Sequence, residues 1–348
     1  MTKDRYPAPP VELFIEHDAL HPHPEEPTPL DMVLALTRPQ REKRVERLIE
    51  LAWYRYHEAL QYFILDRGKT HHSTCLLFSG GKDSSTIAAL FRPVATHIIH
   101  ADTGTGIQGT RNFVRDTAAA WNLPLIMKRS DDDYFDMVLG RLRNKNGETA
   151  WRGGFPGPGA HGFVYQRLKE RALDRCRHTL GIANSRTQMS LWIAGRRRPE
   201  SKQRDDIPHA EGDGSVAWNA PLAVWHKADL LTLRLMEGHA DKVPENPHAA
   251  RLGMSGECGC LCNAHPGERE MWFANYSDEP FLQRVLEAET ELQKPEYAHI
   301  PDHMKRWGWG AEVGDVRDPA PGRLCGRDCG PDPLLDMMDP LFALGAAQ

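Results

Sequence analysis

No run of about 18 consecutive apolar residues occurs in this sequence, so no segment is expected to cross a membrane as a helix. Residues 1–29 also lack the apolar stretch of a secretory signal, which predicts a cytoplasmic protein. Basic residues are not in excess, because 43 Lys and Arg stand against 48 Asp and Glu, for a formal net charge of −5. This balance argues against a wholly basic nucleic-acid binder and leaves room for a local basic patch.

Cysteine is scarce as well. The chain has seven, which is too few for a disulfide scaffold in a protein of 348 residues. Their odd number and their late clustering predict metal or redox chemistry in a reducing compartment. The sequence shows no internal repeat and no low-complexity tract, so a repeat architecture is not expected.

The length suggests about two domains. Residues 1–38 are rich in Pro, Glu and His without periodicity, which predicts a mobile arm or a strap over the surface. In 39–66, apolar residues recur at three- and four-residue steps, as on one face of a long helix. We expect this helix to lead an α/β domain over 39–237, followed by a Cys-rich subdomain over 238–348.

Short apolar runs alternate with helical patterns through the middle of the chain. Strands are predicted at 74–78, 96–102, 124–128 and 190–195, with helices between them, one of which is predicted over 132–144. Such alternation is typical of a mostly parallel sheet with helices on both faces. The predicted fold class is therefore α/β.

A glycine-rich loop follows the first of these strands and opens a helix. Its residues are Ser79, Gly80, Gly81, Lys82, Asp83 and Ser84. Glycines let the backbone approach a phosphate closely, and the N–H groups and dipole of the following helix attract its charge. Lys82 adds a cation and the serines add hydroxyl donors. Asp83 suits a Mg²⁺ ligand or a cap that shapes the loop. We interpret the loop as a phosphate site.

Two other strings invite different nucleotide interpretations. Gly68-Lys69-Thr70 ends like a Walker A loop, but Phe63 stands where that motif needs its first glycine. The string 104–109 spells GxGxxG between a strand and a helix, and Asp131 follows about twenty residues later, as in dinucleotide-binding folds. It lies after the second strand rather than the first, so a dinucleotide enzyme is the weaker alternative.

The loop and three further motifs resemble the adenine-nucleotide alpha-hydrolase (PP-loop ATP pyrophosphatase) superfamily. Asp102-Thr103-Gly104 follows the second strand. A G-x-R-x-x-E-S-x-x-R pattern places Arg197, Glu200 and Arg204 after a later strand. Pro221, Leu222, Trp225 and Asp229 complete the set. Within the superfamily the chain is most similar to phosphoadenosine-phosphosulfate (PAPS) reductase and DndC-type proteins, especially actinobacterial and phage PAPS reductase family proteins.

This resemblance implies a Rossmann-like (HUP-type) sheet with ATP, or a related adenylyl nucleotide, across the carboxyl ends of its strands. Phosphates would lie on Gly80, Gly81 and Ser84. Adenosine would lie near Asp102, Thr103 and Gly104. Ligands of open α/β sheets bind at that edge on general grounds too. Mg²⁺ is the expected partner of the phosphates.

A dense cationic run follows the strand at 190–195. It comprises Arg196, Arg197, Arg198, Lys202 and Arg204. Arginine forks bind phosphate or sulfate bidentately, and Glu200 could orient one of them. Arg197 and Arg204 are the favoured contacts, while Arg196 and Arg198 fit a solvated loop equally well. Arg111 and Lys128 are weaker candidates. The same patch could touch a nucleic-acid backbone.

Most cysteines lie in Gly/Pro-rich loops, which a metal could hold together. Cys258, Cys260, Cys325 and Cys329 are the first choice of ligands for an iron–sulfur cluster such as 4Fe-4S, or for zinc. Cys262 and Cys176 are reserves, although a buried small side chain is the commoner role for a helical Cys176. Cys75, inside a strand, is expected in the core.

Together these features predict an enzyme of sulfur metabolism that adenylates an acceptor, releases pyrophosphate and then transfers sulfur. Lys82, Asp83, Arg197 and Cys258 are the predicted catalytic residues. Reduction of an adenylyl sulfate by Cys258 is the nearest alternative, because Glu257-Cys258-Gly259 echoes the reductases' Glu-Cys-Gly-Leu-His. A nucleotide-sensing module without turnover is the third. A sulfur donor protein such as a cysteine desulfurase and a nucleic-acid acceptor are the expected partners.

Overall fold

The computed structural model describes residues 4–5, 18–183, 185–200, 204–239, 242–252 and 254–312. Within these ranges, none of the helices combines the length and apolar character that crossing a membrane requires. Cys325 and Cys329 lie outside the described residues, as do Lys202 and its two neighbours.

A single sheet of seven strands forms the centre of the described chain. The strands are β1 (Asp4–Arg5), β2 (Thr70–Leu77), β3 (His97–Asp102), β4 (Leu125–Arg129), β5 (Gln188–Ile193), β6 (Ala210–Asp213) and β7 (Val216–Asn219). Their order is β1-β6-β7-β5-β2-β3-β4. The five strands from β7 to β4 are parallel, whereas β6 and β1 are antiparallel additions at one edge. The predicted α/β class with a mostly parallel sheet is confirmed.

Helices connect and cover the strands. They are α1 (Leu30–Leu34), α2 (Arg38–Leu60), α3 (Lys82–Phe91), α4 (Gln108–Ala120), α5 (Tyr134–Val138), α6 (His161–Tyr165), α7 (Arg171–Thr179), α8 (Lys227–Leu235), α9 (Pro247–Leu252), α10 (Glu268–Tyr276) and α11 (Pro280–Glu291). A π-helical turn, Gln61–Leu65, extends α2, and another, Gln166–Glu170, joins α6 to α7.

Side chains on the two faces of the sheet enter different cores, because successive residues of a strand point to opposite sides. Leu76 and Phe78 pack with α2, α3 and α8 on one face, and Cys75 packs with α7 on the other. A further core joins α5 and the loop after it to residues 252–307. The chain before residue 170 and the Cys-rich region therefore share apolar contacts, while the division at 237 stays a prediction.

The strand order fixes where a ligand can bind. From β2 the chain moves outward through β3 to β4, and it then returns to place β5 on the other side of β2. The carboxyl ends of β2 and β5 therefore lie side by side at the switch point of the sheet, where open α/β sheets form the crevice that binds ligands. Both predicted phosphate-binding motifs lie in the loops after these two strands.

Residues 18–37 run as a strap along α2 and the β5 side of the sheet. Arg44 donates to the Ala19 carbonyl oxygen at 2.9 Å. Glu25 forms ion pairs with Arg55 and with Arg198, whose Nη2 lies 3.1 Å from it. Of the two sequence interpretations, arm and strap, this part of the chain adopts the strap. The division at residue 38 stays a prediction, as does the mobile arm for the residues before 18.

The strap makes stability sensitive to acid. Burial by itself would raise the pKa of Glu25, but hydrogen bonding to His209 and the charges of Arg55 and Arg198 lower it from 4.5 to about 2. A depressed folded-state pKa stabilises the protein above the unfolded value, and the gain is lost as the pH falls from 4.5 toward 2. Because Glu25 is only partly buried and solvent screens its charge, we expect a loss of roughly 1–2 kcal/mol across this window.

Urea unfolding at a series of pH values measures the effect. Glu25→Gln should be less stable than wild type at neutral pH and flatter in the acidic window. Glu26→Gln, which changes the exposed neighbouring acid, should follow wild type. If Glu25→Gln kept the full acid dependence, the strap would not be its source.

Candidate functional site

The phosphate loop is built by the end of β2 and the first turn of α3. Gly80 has a φ of 77°, in the left-handed region that favours glycine. The Ser84 hydroxyl donates to the Gly81 carbonyl oxygen at 3.0 Å, and it lies 3.1 Å from the Ser79 hydroxyl. The first turn of α3 starts directly at Lys82, so its N–H groups face the crevice. This local geometry suits an anion such as a phosphate.

The end of β5 completes the other wall of the crevice. Arg197 is 5% exposed, and its Nε donates to the Asp83 carboxylate at 2.6 Å. A Cβ placed on Gly195 would lie 2.8 Å from the Asp83 carbonyl carbon, so only glycine permits this approach. Arg204 pairs with Glu200 in the same loop. The structure thus brings together the predicted residues of the two motifs.

Charged side chains are concentrated at this wall and shift the pKa values of their neighbours. Burial and the nearby Asp83 carboxylate raise the pKa of Glu200 above its usual value. Lys169, on the π-helical turn, lies close enough to influence the pKa of Glu200, of His161 and of Cys258. Burial, with Lys169 and Arg204 beside it, lowers the pKa of His161 to about 4, so this imidazole is neutral near pH 7.

Lys169 and His161 are site residues that sequence reasoning missed. A lysine in a helical pattern carries no signal of its own, and the π-helical turn that carries Lys169 is not readable from periodicity. Such turns are frequent at functional sites. The turn thus adds a cation that acts on both Glu200 and Cys258.

The loop after β3 is held by its own charges. Burial would raise the pKa of Asp102, but Arg129, the Gly104 N–H and Arg111 outweigh it and lower the pKa. Arg129 donates to one carboxylate oxygen from Nε at 3.0 Å and from Nη2 at 2.6 Å. The Gly104 N–H donates to the other oxygen at 2.9 Å. Asp102 therefore remains ionised and shapes the loop where adenosine is expected.

Thr103 faces the Cys-rich region. Its N–H donates to the Glu257 carboxylate at 2.8 Å, and its hydroxyl donates to the Glu257 carbonyl oxygen at 2.6 Å. The other carboxylate oxygen of Glu257 lies 2.9 Å from His100 Nε2. His100 Nδ1 lies 2.8 Å from the Phe78 carbonyl oxygen, which can only accept. Thr103 thus anchors the segment that precedes Cys258, a role that its motif did not suggest.

Three cysteines lie in what we call the cysteine segment, residues 255–262. Cys258 and Cys260 have their Sγ atoms 3.2 Å apart. The Cys260 thiol beside it, together with burial, raises the pKa of Cys258 well above the usual value. Tyr134 donates to the Cys260 carbonyl oxygen at 3.0 Å, and Leu261 has a φ of 46°, a strained conformation for leucine. The thiols are therefore protonated near neutral pH unless a metal displaces the protons.

The donor set suits a soft metal only in part. Tetrahedral thiolates around zinc would lie roughly 3.8 Å apart for a bond of about 2.3 Å, not far from the observed Cys258–Cys260 separation. Among the described residues, however, no group of three or more His, Cys, Asp or Glu side chains is arranged to hold a metal ion. Cys262 is buried beside the pair. A four-ligand site therefore depends on Cys325 and Cys329, which lie outside the described residues.

Cys176 does not join these thiols. It is buried in the apolar cluster on the α7 face of the sheet, together with Cys75, Ile99 and Trp192. Burial raises its pKa to about 12. The structure thus places Cys176 in the core rather than at the cysteine segment, because the inner face of α7 packs against the sheet. Cys75 lies in the core as expected.

The other arginines of the cationic run contact the protein itself. Arg196 lies over the Trp218 ring and pairs with Glu211 at 3.2 Å. Arg198 donates to the Ile207 carbonyl oxygen at 2.8 Å and pairs with the strap. Of the weaker candidates, Arg111 donates to the Gly106 carbonyl oxygen at 3.1 Å.

The fold and site define an α/β domain with a glycine-rich loop, of a geometry that suits phosphate, at the switch point of its sheet. Residues 73–240 match the family model of the phosphoadenosine phosphosulfate reductase domain. This match agrees with the resemblance to PAPS reductases that the motifs indicated. A comparison with curated proteins found no match.

Several solved structures are similar to the chain. PAPS reductase from Candida auris, as a phosphate complex, is 16% identical, with 61% of this chain and 90% of that chain covered and a TM-score of 0.37. The U34-tRNA thiolase NcsA from Methanococcus maripaludis, with its 4Fe-4S cluster, is 14% identical over 82% and 87%, at 0.35. Candida glabrata FMN adenylyltransferase, with FAD and inorganic pyrophosphate, is 12% identical over 54% and 56%, at 0.33.

Proposed function

We propose that the protein cleaves ATP between the α- and β-phosphates, transfers the adenylyl group to an acceptor and prepares that acceptor for sulfur transfer. The observation that supports this most is the crevice between the ends of β2 and β5. There a helix N-terminus and two serine hydroxyls follow the end of β2, and the Arg197–Asp83 pair at 2.6 Å joins this turn to the loop after β5. A departing diphosphate needs this combination of donors and positive charge.

Each residue of the crevice has a distinct role in the proposed reaction. Gly80 and Gly81 with the first turn of α3 receive the pyrophosphate, and the Ser84 hydroxyl holds the loop in shape. Lys82 adds positive charge on the same turn. Arg197, held by Asp83, stabilises the charge that develops as the acceptor oxygen attacks the α-phosphorus and the pyrophosphate oxygen leaves.

Two inorganic groups belong to this proposal. Mg²⁺ commonly uses one or two carboxylates together with substrate phosphates, and Asp83 is the carboxylate that fits this role. It would neutralise charge on the phosphates when bound. Cys258 and Cys260, with Cys325 and Cys329 from outside the described residues, would hold an iron–sulfur cluster or zinc. Such a centre would supply thiophilic or redox chemistry beside the nucleotide.

The assay is pyrophosphate release from ATP in the presence of candidate acceptors. Transfer RNA, DNA and small oxygen or nitrogen nucleophiles form the panel, with and without a persulfide donor such as a cysteine desulfurase. The proposal expects release that requires both ATP and one acceptor class. Tight ATP binding without release for any acceptor would favour the nucleotide-sensing alternative and contradict catalysis.

One observation keeps the reductase alternative open. Cys258 directly follows Glu257, whose carboxylate accepts from the Thr103 N–H in the loop where adenosine is expected. The raised pKa of Cys258 opposes it, since a nucleophilic cysteine acts as the thiolate. Sulfite release from an adenylyl sulfate, lost in Cys258→Ser, would support reduction over adenylation.

Metal analysis of anaerobically purified protein tests the cysteine centre. We expect iron with absorption at about 400 nm, and its loss in Cys258→Ser and Cys260→Ser. Cys176→Ser is the matched control, because this thiol lies in the core and should leave the metal content unchanged. Colourless protein with stoichiometric zinc would exclude the iron–sulfur cluster, and metal-free protein would exclude both.

A further inference from the structure

Hydrogen bonds attach most of the cysteine segment to the loops at the carboxyl edge of the sheet, where the nucleotide is expected. The Asn246 side-chain amide donates to the Gly80 carbonyl oxygen at 3.1 Å and to the Ser255 carbonyl oxygen at 3.2 Å. The Ile107 N–H donates to the Gly256 carbonyl oxygen at 2.9 Å. The Gly259 N–H donates to the Thr105 carbonyl oxygen at 3.1 Å. The segment therefore touches the phosphate loop and the loop after β3.

Glu257 provides the side-chain anchor of this attachment. It is 2% exposed, and its carboxylate accepts from the Thr103 N–H at 2.8 Å and meets His100 Nε2 at 2.9 Å. A buried carboxylate costs much free energy unless it is hydrogen-bonded in this way. Nothing in the proposed phosphate chemistry uses Glu257, so its conspicuous burial needs another explanation.

We propose that Glu257 is a positioning residue that couples nucleotide binding at the loop Asp102–Gly104 to the reactivity of the Cys258 thiol. The inference rests on the proposed function for the nucleotide at that loop. It names a link between two parts of the site that the motifs treat separately.

Direct hydrogen bonds on both sides of Cys258 connect the cysteine segment to the loop after β3. Glu257 and Gly259, the two residues that flank Cys258, are both hydrogen-bonded to the loop after β3. The Thr103 hydroxyl also donates to the Glu257 carbonyl oxygen, so side chain and backbone move together. A ligand that shifts Thr103 must shift Glu257, and Cys258 follows directly in the chain. Coupling free energies between two sites typically correspond to changes of roughly 5- to 150-fold in affinity, and we expect an effect toward the lower end of this range.

The experiment measures how fast iodoacetamide alkylates Cys258 in the full-length protein after a chelator has removed any bound metal, by mass spectrometry of its peptide, with and without ATP. ATP binding is measured separately by calorimetry. We expect saturating ATP to slow alkylation about tenfold in wild type. Glu257→Ala should bind ATP but lose this dependence.

Glu257→Gln should keep the dependence, because its amide oxygen can accept from Thr103 and its amide nitrogen can donate to a neutral His100. The matched control is Glu268→Ala. Glu268 is also a buried acid of the Cys-rich region, but it accepts from the His265 N–H at 2.9 Å and lies on α10. This variant should behave as wild type.

The outcomes separate the inference from the function on which it rests. Wild type that binds ATP with an unchanged alkylation rate overturns the coupling and leaves the proposed function standing. Wild type that binds no ATP overturns both. Full coupling in Glu257→Ala would also overturn the role of this residue. The wild-type comparison needs no variant, so it decides the coupling even where Glu257→Ala fails to fold.

Discussion

Asp83→Ala is expected to lower ATP-dependent pyrophosphate release by roughly 10² to 10³. Its carboxylate holds the Arg197 Nε at 2.6 Å, across the gap between the first turn of α3 and the end of β5. Without it, the arginine loses the partner that aims it at the phosphates. The steady-state rate with the acceptor found in the panel measures the loss.

Non-additivity provides the sharper test. Because Asp83 is expected to act partly through Arg197, the double variant Asp83→Ala/Arg197→Ala should be little slower than the worse single variant. The control is Asp116→Ala, which removes an exposed carboxylate from α4. Wild-type rates in Asp83→Ala would place the chemistry elsewhere. Fully multiplicative losses would show that the two residues act independently.

The parallel sheet was predictable because its signals are local. The strand at 74–78 ends directly at the phosphate loop, and hydrophobic alternation with helices defines the class. The antiparallel strand β6 was not predicted, since Ala210–Asp213 carries only one apolar residue and exists by pairing with β7. Pairing with the neighbouring strand, rather than the β propensity of its own residues, stabilises β6.

The helix predicted over 132–144 is wrong in its length, for a tertiary reason. The structure ends α5 at Val138, whose carbonyl oxygen accepts from the Gly154 N–H at 2.7 Å. A loop contact thus takes the place of the next helical hydrogen bond. The sequence has the apolar periodicity of a helix, but the buried loop that follows α5 forms hydrogen bonds with backbone groups that a longer helix would use.

At the site, sequence motifs located the residues without giving their partners. Arg197 and Glu200 were recognised by spacing, and the structure places them on one wall of the crevice. The contact of Thr103 with Glu257 spans 154 positions, and no periodicity carries information at such a separation. Long-range pairs of buried polar groups are therefore where structure adds most.

Asp229 shows the same limit, and it leads to the largest expected effect on stability. It belongs to a motif of the resembling family, and its carboxylate is 1% exposed and accepts from Arg44 Nε at 2.8 Å. It also accepts from the His226 N–H at 2.8 Å, which caps α8. Asp229→Ala should cost about 3–5 kcal/mol in the free energy of unfolding, because it leaves a buried guanidinium without its counter-ion. Urea unfolding measures the loss.

An exposed ion pair on α2, the helix that carries Arg44, supplies the control. Arg38 and Glu42 lie 2.9 Å apart on α2, but both are substantially exposed. Arg38→Met should therefore cost at most about 0.5 kcal/mol. Arg44→Met/Asp229→Leu should recover much of the loss of either single variant, since two apolar side chains remove both buried charges. A cost for Asp229→Ala as small as that for Arg38→Met would mean that water reaches the Arg44 guanidinium and that α2 and α8 are held together by apolar contacts alone.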